Sequence, residues 1–420
     1  MKIFWRRTFN PLNIPNIALI NTDSTIEFRM TNRIEKLPYG ALLALSITGF
    51  ICVMTETLPA GLLPLISADM SIPIASSGQL VTAYALGSLF FAIPLTVLTR
   101  SWSRRSVLLF TVSGFTVFNA LTALSHNLPL TYLSRFLAGC CAGLAWSLIA
   151  GYARSIVKPH QQGAAMAFAM AGTPVALSIG VPIGTWISQV LGWRETFGIM
   201  SLISILLIIW IIFIVPNVSG QKNRIKFQIT KVLGIKGVKP ILAVVLTWMV
   251  SHNILYTYIA PFSEPSGLNN NIDAVLFVFG ITSLAGIFFT GKLIDRHLRV
   301  LTLFSVFTFF ISCLLLFFYY SNPMIFIVCI GIWGLTFGGA ATLLNTALAD
   351  AAGEWTDIAM SLTVVSWNSA ISLGGIFGGL LIQEYGIHSL AVAPIIFVFT
   401  AFIIVKINIH YAFTRSPSTE

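Results

Sequence analysis

The sequence predicts an all-α membrane protein: twelve transmembrane helices in two pseudo-symmetric six-helix bundles. Three observations predict it. Hydrophobic residues fill 56% of the 420 positions and charged residues only 9%, against roughly a quarter charged in soluble domains. Twelve apolar stretches run near residues 39–66, 78–98, 106–124, 129–152, 164–189, 196–216, 240–261, 273–290, 300–319, 323–349, 359–382 and 389–409. Each is long enough to cross about 30 Å of hydrocarbon at 1.5 Å per residue. Finally, Gly180-x3-Gly184-x4-Gln189-x2-Gly192 recurs as Gly374-x3-Gly378-x4-Gln383-x2-Gly386, an offset of 194 residues that lays span five on span eleven. Two parallel six-helix repeats bury a site near the membrane midplane between them.

Residues 1–37 are polar, broken by Pro11 and Pro15, and lack the apolar run of a signal peptide. They read as a loose tail, with Met30 as an alternative start. Residues 38–216 form the first bundle. The most polar internal stretch, 217–239, follows span six as a central loop, residues 240–410 form the second bundle, and 411–420 a second tail. Alternating the loops puts 22 Lys/Arg on the side of the termini and Arg194 alone on the other. The positive-inside rule then places both termini in the cytoplasm. The formal charge of +10 is therefore a topology signal and excludes nucleic acid as the partner. All five cysteines lie within apolar spans, so no disulfide framework is implied. Trp193, Tyr319, Tyr320 and Tyr385 read as interfacial anchors.

Only one acid, Glu56 in span one, and one base, Arg135 in span four, fall well inside an apolar stretch. An ionisable group in hydrocarbon costs a few kcal/mol or more and marks a substrate, proton or ion path. Counted along their helices, both lie at similar depth in the outer half of the bilayer, where they can pair. An unpaired carboxyl there takes up a proton, because desolvation disfavours its charged form, and a guanidinium alongside favours release. Alternation between the two couples proton entry to cargo exit; a static ion pair that holds helices together is the competing reading.

Polar residues in other spans are candidates for a cargo cavity: Asn119, Trp146, Asn345, Trp367 and Asn368, with His252, Asn253 and Tyr256 on span seven. His252 and Tyr256 are i,i+4 neighbours and share a helix face; His252 is also a candidate second proton site. Helix–helix hydrogen bonding is the plain alternative for each. No Walker glycine loop, His-Glu-x-x-His, Cys-x-x-Cys or nucleophile elbow occurs. The chain is expected to be no enzyme, to use no ATP, and to need neither cofactor nor metal.

The run Glu56-Thr57-Leu58-Pro59-Ala60-Gly61-Leu62-Leu63-Pro64, followed by Gln79 to Gly87, resembles the first two helices of major facilitator superfamily transporters. More narrowly it is similar to the twelve-helix drug:proton antiporters, in the group of arabinose and purine-nucleoside efflux proteins. Gly180, Pro182 and Gly184 look like that group's helix-five motif, and Arg135 its helix-four arginine. The resemblance implies that the helix-five motif packs the halves together and limits leak. Gly291, Asp295, Arg296 and Arg299 are similar to the superfamily's cytoplasmic loop motif, with Gly291 expected to allow a tight turn and Asp295 to accept hydrogen bonds. The first-half counterpart keeps Arg104 and Arg105 but lacks the Gly and Asp, so simple anchoring competes with a latch there.

The expected protein is a monomer in a bacterial inner membrane, exporting a small solute such as a sugar, nucleoside or drug in exchange for protons, by alternating access. A facilitator or importer of the same fold is the first alternative, and a non-transporting membrane receptor the second.

Overall fold

The computed structural model describes residues 37–220, 229–408 and 411–413. The N-terminal tail, the middle of the central loop and the last seven residues, including Met30, lie outside the described residues.

Eleven continuous helical runs among the described residues are long and apolar enough to cross a membrane. In the first half these are α1 (Tyr39–Met70), α2 (Ile74–Leu98), α3 (Arg104–Leu124), α4 (Leu128–Ser155), α5 (Pro159–Leu191) and α6 (Trp193–Ile214). In the second, α7 spans Val238–Thr257, α10 Pro323–Trp355, α11 Thr356–Tyr385 and α12 Val392–Ile407. Between α7 and α10 a short helical turn, Ile259–Ser263, leads to one long helix, Ile272–Tyr319, of 48 residues. At 1.5 Å per residue it measures about 72 Å, more than twice the hydrocarbon thickness. Its dihedrals break at His297 (φ −133°, ψ 28°), dividing it into α8 (272–296) and α9 (298–319). That makes twelve crossings. The turn does not fall at Gly291, which continues the helix in open surroundings.

Local chemistry sets the helix starts. Ser103, Asn127 and Asn322 each accept a backbone N–H of the following first turn, and proline stands in the first turn of α4 and α10. Pro174 and Pro182 bracket an irregular stretch of α5. A proline inside a helix withholds its N–H and crowds the carbonyl four residues earlier. The ladder responds with a single π turn over Ala176–Gly180.

Within the first half α2 packs on α4, α3 on α6, and α1 against α2, α4, α5 and α6. In the second, α8 and α9 pack on α10, and α7 on α11 and α12. Close approach depends on small residues: a Cβ added to Gly87 falls 1.9 Å from the Phe136 carbonyl, and one on Gly139 lies 1.9 Å from that of Tyr84. Backbone therefore meets backbone where α2 crosses α4.

The 194-residue repeat reappears as geometry. Gly192 and Gly386, which end α5 and α11, both have positive φ, 112° and 81°. Arg105 at the start of α3 donates through Nη2 to the Ile212 carbonyl at the end of α6. Arg299 at the start of α9 donates to the Lys406 carbonyl at the end of α12, at 3.0 Å. Donor and acceptor are each displaced by 194 positions. Each guanidinium meets the carbonyl end of a helix, where the dipole favours positive charge.

Arg100, Arg104, Arg105, Arg154, Lys292, Arg296, Arg299 and Lys406 gather at one end of the crossings, the basic face. At the other end Arg194 pairs with Asp69 at 2.9 Å and donates to the carbonyls of Ala123 and Ser125. Trp193 is no interfacial anchor. It is buried and its Nε1 donates to Asp69 at 3.1 Å, while Tyr319 and Tyr385 are exposed.

Candidate functional site

Helix α1 carries Glu56 near its middle, and the side chain is half-buried. On one side it lies within electrostatic reach of Arg135 and Tyr84 in the first half, and on the other of Tyr256 on α7. The carboxyl therefore stands where the two halves face each other. The Tyr256 hydroxyl approaches Thr57 without reaching bonding geometry.

Arg135 is fully buried. Its Nη2 donates to the Thr55 carbonyl, and its Nε to the Leu80 carbonyl at 3.5 Å. The guanidinium lies over the rings of Tyr84 and Phe197, 5.0 and 5.4 Å from their centroids, contacts worth up to about 2 kcal/mol each when desolvated. The expected pairing with Glu56 is not formed at bonding distance. No ion pair at bonding distance involves Glu56 among the described residues, and Arg135 Nη1 has no partner. Backbone carbonyls and aromatic faces hold this cation instead, which leaves Glu56 uncommitted.

Asn119 joins this cluster rather than a cavity. It is fully buried and donates to Thr55 Oγ1 at 3.1 Å, with its Oδ1 unpartnered. Thr55, next to Glu56 in the chain, thus receives both Asn119 and Arg135. Tyr84 completes the shell by donating to the Cys52 carbonyl at 2.9 Å, one turn before Glu56.

The second half presents an aromatic cluster. His252 is 6% exposed and stacks on Phe337 at 3.6 Å and 6°. Tyr256 stacks on its other side at 5.2 Å, and Trp333 meets it edge-on. Trp333 Nε1 donates to His252 Nδ1 at 3.2 Å. An indole N–H only donates, so Nδ1 offers its lone pair and the ring is the neutral tautomer with its proton on Nε2.

At the basic face a cavity of about 320 Å³ opens between α2, α4 and α11. Ser88 and Thr96 line it from α2, Arg100 from the turn that follows α2, Gly143 and Ser147 from α4, and Met360, Val364 and Asn368 from α11. Towards the other face the same two helices, α2 and α11, close. Gln79 Nε2 donates to the Gly375 carbonyl at 3.0 Å and to Tyr258 Oη at 3.2 Å, while Tyr258 Oη donates to Gly375 at 2.9 Å. The two halves thus touch at one end and part at the other.

Of the eight expected cavity residues, Asn368 alone lines this space. Asn253 donates to its own helix at Met249 and packs on Gly374, and Trp146 lies over Gly49. Trp367 packs on Val81, Ala85 and Ile371 along the α2–α11 seam, and Asn345 is half-buried on α10. A Cβ on Gly180 or Gly184 would meet Phe50, Met54 and Leu58 of α1 in their own half. The segments that carry them, Ala176–Gly180 and Val181–Leu191, also pack on α8 of the other half, most closely where Leu177 and Ser178 meet Gly280, and Pro182 is buried within α5. Thr55, Gln79, Arg100 and Trp333 were not singled out from sequence, and Tyr258 only as one of the polar residues of span seven. Gln79 sits inside the motif that carried the resemblance, but the partner across the seam leaves no local trace.

Comparison with known proteins bears on the whole chain. The profile of the Major Facilitator Superfamily matches residues 45–374 and 272–419. A probable sugar efflux transporter of Helicobacter pylori is 26% identical over 356 residues, 84% of this chain and 91% of the relative. The inner membrane transport protein YdhP of Escherichia coli O157:H7 is 28% identical over 345 residues, 81% and 88% of the two chains. Among solved structures, the nucleoside transporter NupG superposes with a TM-score of 0.70 at 13% identity, covering 87% of this chain and 98% of that one. The chain belongs to the Major Facilitator Superfamily and is a multi-pass membrane transporter, not an enzyme.

Proposed function

We propose that the protein is a proton-coupled exporter of a small solute, a sugar, nucleoside or drug, working by alternating access in a bacterial inner membrane as a monomer. The observation that carries this reading is the place of Glu56, on the boundary between the halves and outside any formed ion pair. A carboxyl there exchanges its proton with whichever side the cavity faces. The sugar efflux and inner-membrane names of the relatives agree with the direction of transport and the location. With both termini cytoplasmic, the basic-face cavity is the inward-open arrangement. Residues 38–216 and 240–410 are then the two bodies that rock, with 217–239 as the connection between them.

Arg135, held by Thr55 and Leu80, sets the electrostatic background against which Glu56 releases its proton. Moving one proton inward down 100 mV yields about 2.3 kcal/mol, enough for roughly fortyfold accumulation at 1.4 kcal/mol per decade. Glu56→Gln keeps the shape and removes the titration. In vesicles with an imposed inward proton gradient, wild type expels cargo faster than without the gradient, whereas Glu56→Gln shows no such acceleration. Unaltered gradient-driven efflux in the variant overturns the proposal.

A further inference from the structure

The cavity between α2, α4 and α11 carries one charged group among its described lining residues, Arg100. Its Nε and Nη2 are buried and have no hydrogen-bond partner. The other polar groups on these walls are largely spent: Thr96 and Ser147 bond each other at 2.6 Å, and Asn368 donates to Val364 in its own helix. No acidic residue appears among the described lining residues to neutralise the guanidinium. A buried donor pair without acceptors is costly and favours an anion that supplies them. Ser88 Oγ is a further buried group without a partner, and most of the remaining wall is apolar. Ile93, Val97 and Val364 belong to it and are also exposed at the surface, at 39%, 55% and 38%. These exposed side chains make the mouth of the cavity apolar along the α2–α11 seam.

We infer that this cavity binds an amphiphile bearing a single anionic group, a phosphate or carboxylate held by Arg100 with its apolar body against Ile93, Val97 and Val364. The fork of the guanidinium suits a two-oxygen acceptor. The inference names the charge class of ligand for the proposed cargo cavity, and it rests on that transport reading only for the step from binding to export. A free organic anion and the headgroup of an anionic lipid share the required chemistry.

The test uses the full chain in decyl maltoside micelles, titrated with decyl phosphate and followed by thermal unfolding. The expected result is a saturable rise in Tm. In Arg100→Gln the apparent affinity falls about tenfold or more, the loss of a charge-assisted bond, and Arg100→Lys falls between. Val364→Trp, which fills the apolar wall, also weakens the response. A shift equally produced by inorganic phosphate, an equal response in Arg100→Gln, or no saturable response in wild type each overturns the inference. Should Arg100→Gln fail to fold, Val364→Trp and the comparison with inorganic phosphate in wild type decide it. In nanodiscs, competition by phosphatidylglycerol but not phosphatidylcholine identifies the lipid as the source; no competition by either identifies a free anion. Glu56→Gln separates the two readings: it retains the response here while losing proton-driven efflux. Glu56-dependent efflux without decyl phosphate binding leaves transport standing and removes only this inference.

Discussion

Arg135 shows how a single buried charge is accommodated in this protein. Its removal from water costs several kcal/mol, which two carbonyl acceptors and two aromatic faces offset. A lysine ends in one ammonium and cannot span Thr55 and Leu80 as the guanidinium fork does. Arg135→Lys is expected to slow proton-driven efflux ten- to a hundredfold, the value of a charge-assisted hydrogen bond or two. Vesicle transport rates check this, and an unchanged rate reduces Arg135 to a packing cation. Asn119→Leu deletes the donor to Thr55 Oγ1 and is expected to cost about 1–3 kcal/mol of stability, read from thermal unfolding in detergent. The placement of Glu56 and Arg135 inside membrane helices was legible in the sequence because charge in an apolar run is a strong signal. Their lack of a direct bond was not legible. Equal depth on two helices permits a pair, but Thr55 and Leu80 compete for the guanidinium through backbone carbonyls that every residue carries. For a related reason the surroundings of His252 were not legible. Its spacing from Tyr256 fixes a shared face, yet whether that face looks into water or into Trp333 and Phe337 depends on α10.

At the scale of the element, the crossings were legible from hydropathy alone because lipid admits few alternatives to a helix. The connections were not. Gly291 was expected to turn the chain, but glycine only permits a turn, and the helix runs on to break at His297. Likewise Pro174 and Pro182 announce an irregular α5 without saying that a π turn will absorb it. Glycines of identical appearance also differ in consequence. Gly139 faces α2, and a Cβ there lies 1.9 Å from the Tyr84 carbonyl, whereas Gly151 on the same helix meets nothing within 4 Å. Gly139→Ala must push α2 and α4 apart at a cost of about 1–3 kcal/mol. Gly151→Ala should be neutral or stabilising by up to about 1 kcal/mol, the difference in helix propensity. Thermal unfolding of the two variants side by side checks the pair, and equal Tm values contradict the close crossing.

For the molecule as a whole, the seam between α2 and α11 acts as the latch of the conformer seen here. Tyr258 is fully buried and ties three elements together: it donates to Gly375 on α11 and accepts from Gln79 on α2. At the basic face the cavity lies between those two helices. In the proposed alternating-access cycle the latched end opens, so the latch must be weak enough to break in each cycle. A neutral hydrogen bond is worth about 1 kcal/mol net, a suitable size for a reversible catch. Tyr258→Phe removes the hydroxyl and keeps the ring against Gly78 and Gly378. Losing about 1 kcal/mol raises the population of the opened seam about fivefold. Thr82 is buried beside Gly375 in the same seam, so Thr82→Cys reports the opening through its rate of thiol labelling. The five native cysteines are buried and serve as the background. Labelling of Thr82→Cys from the face opposite the basic one should quicken about fivefold when Tyr258→Phe is added. A rate that does not change would mean that apolar packing, with Trp367 on Val81 and Ala85, holds the seam and that the hydrogen bonds only set its register.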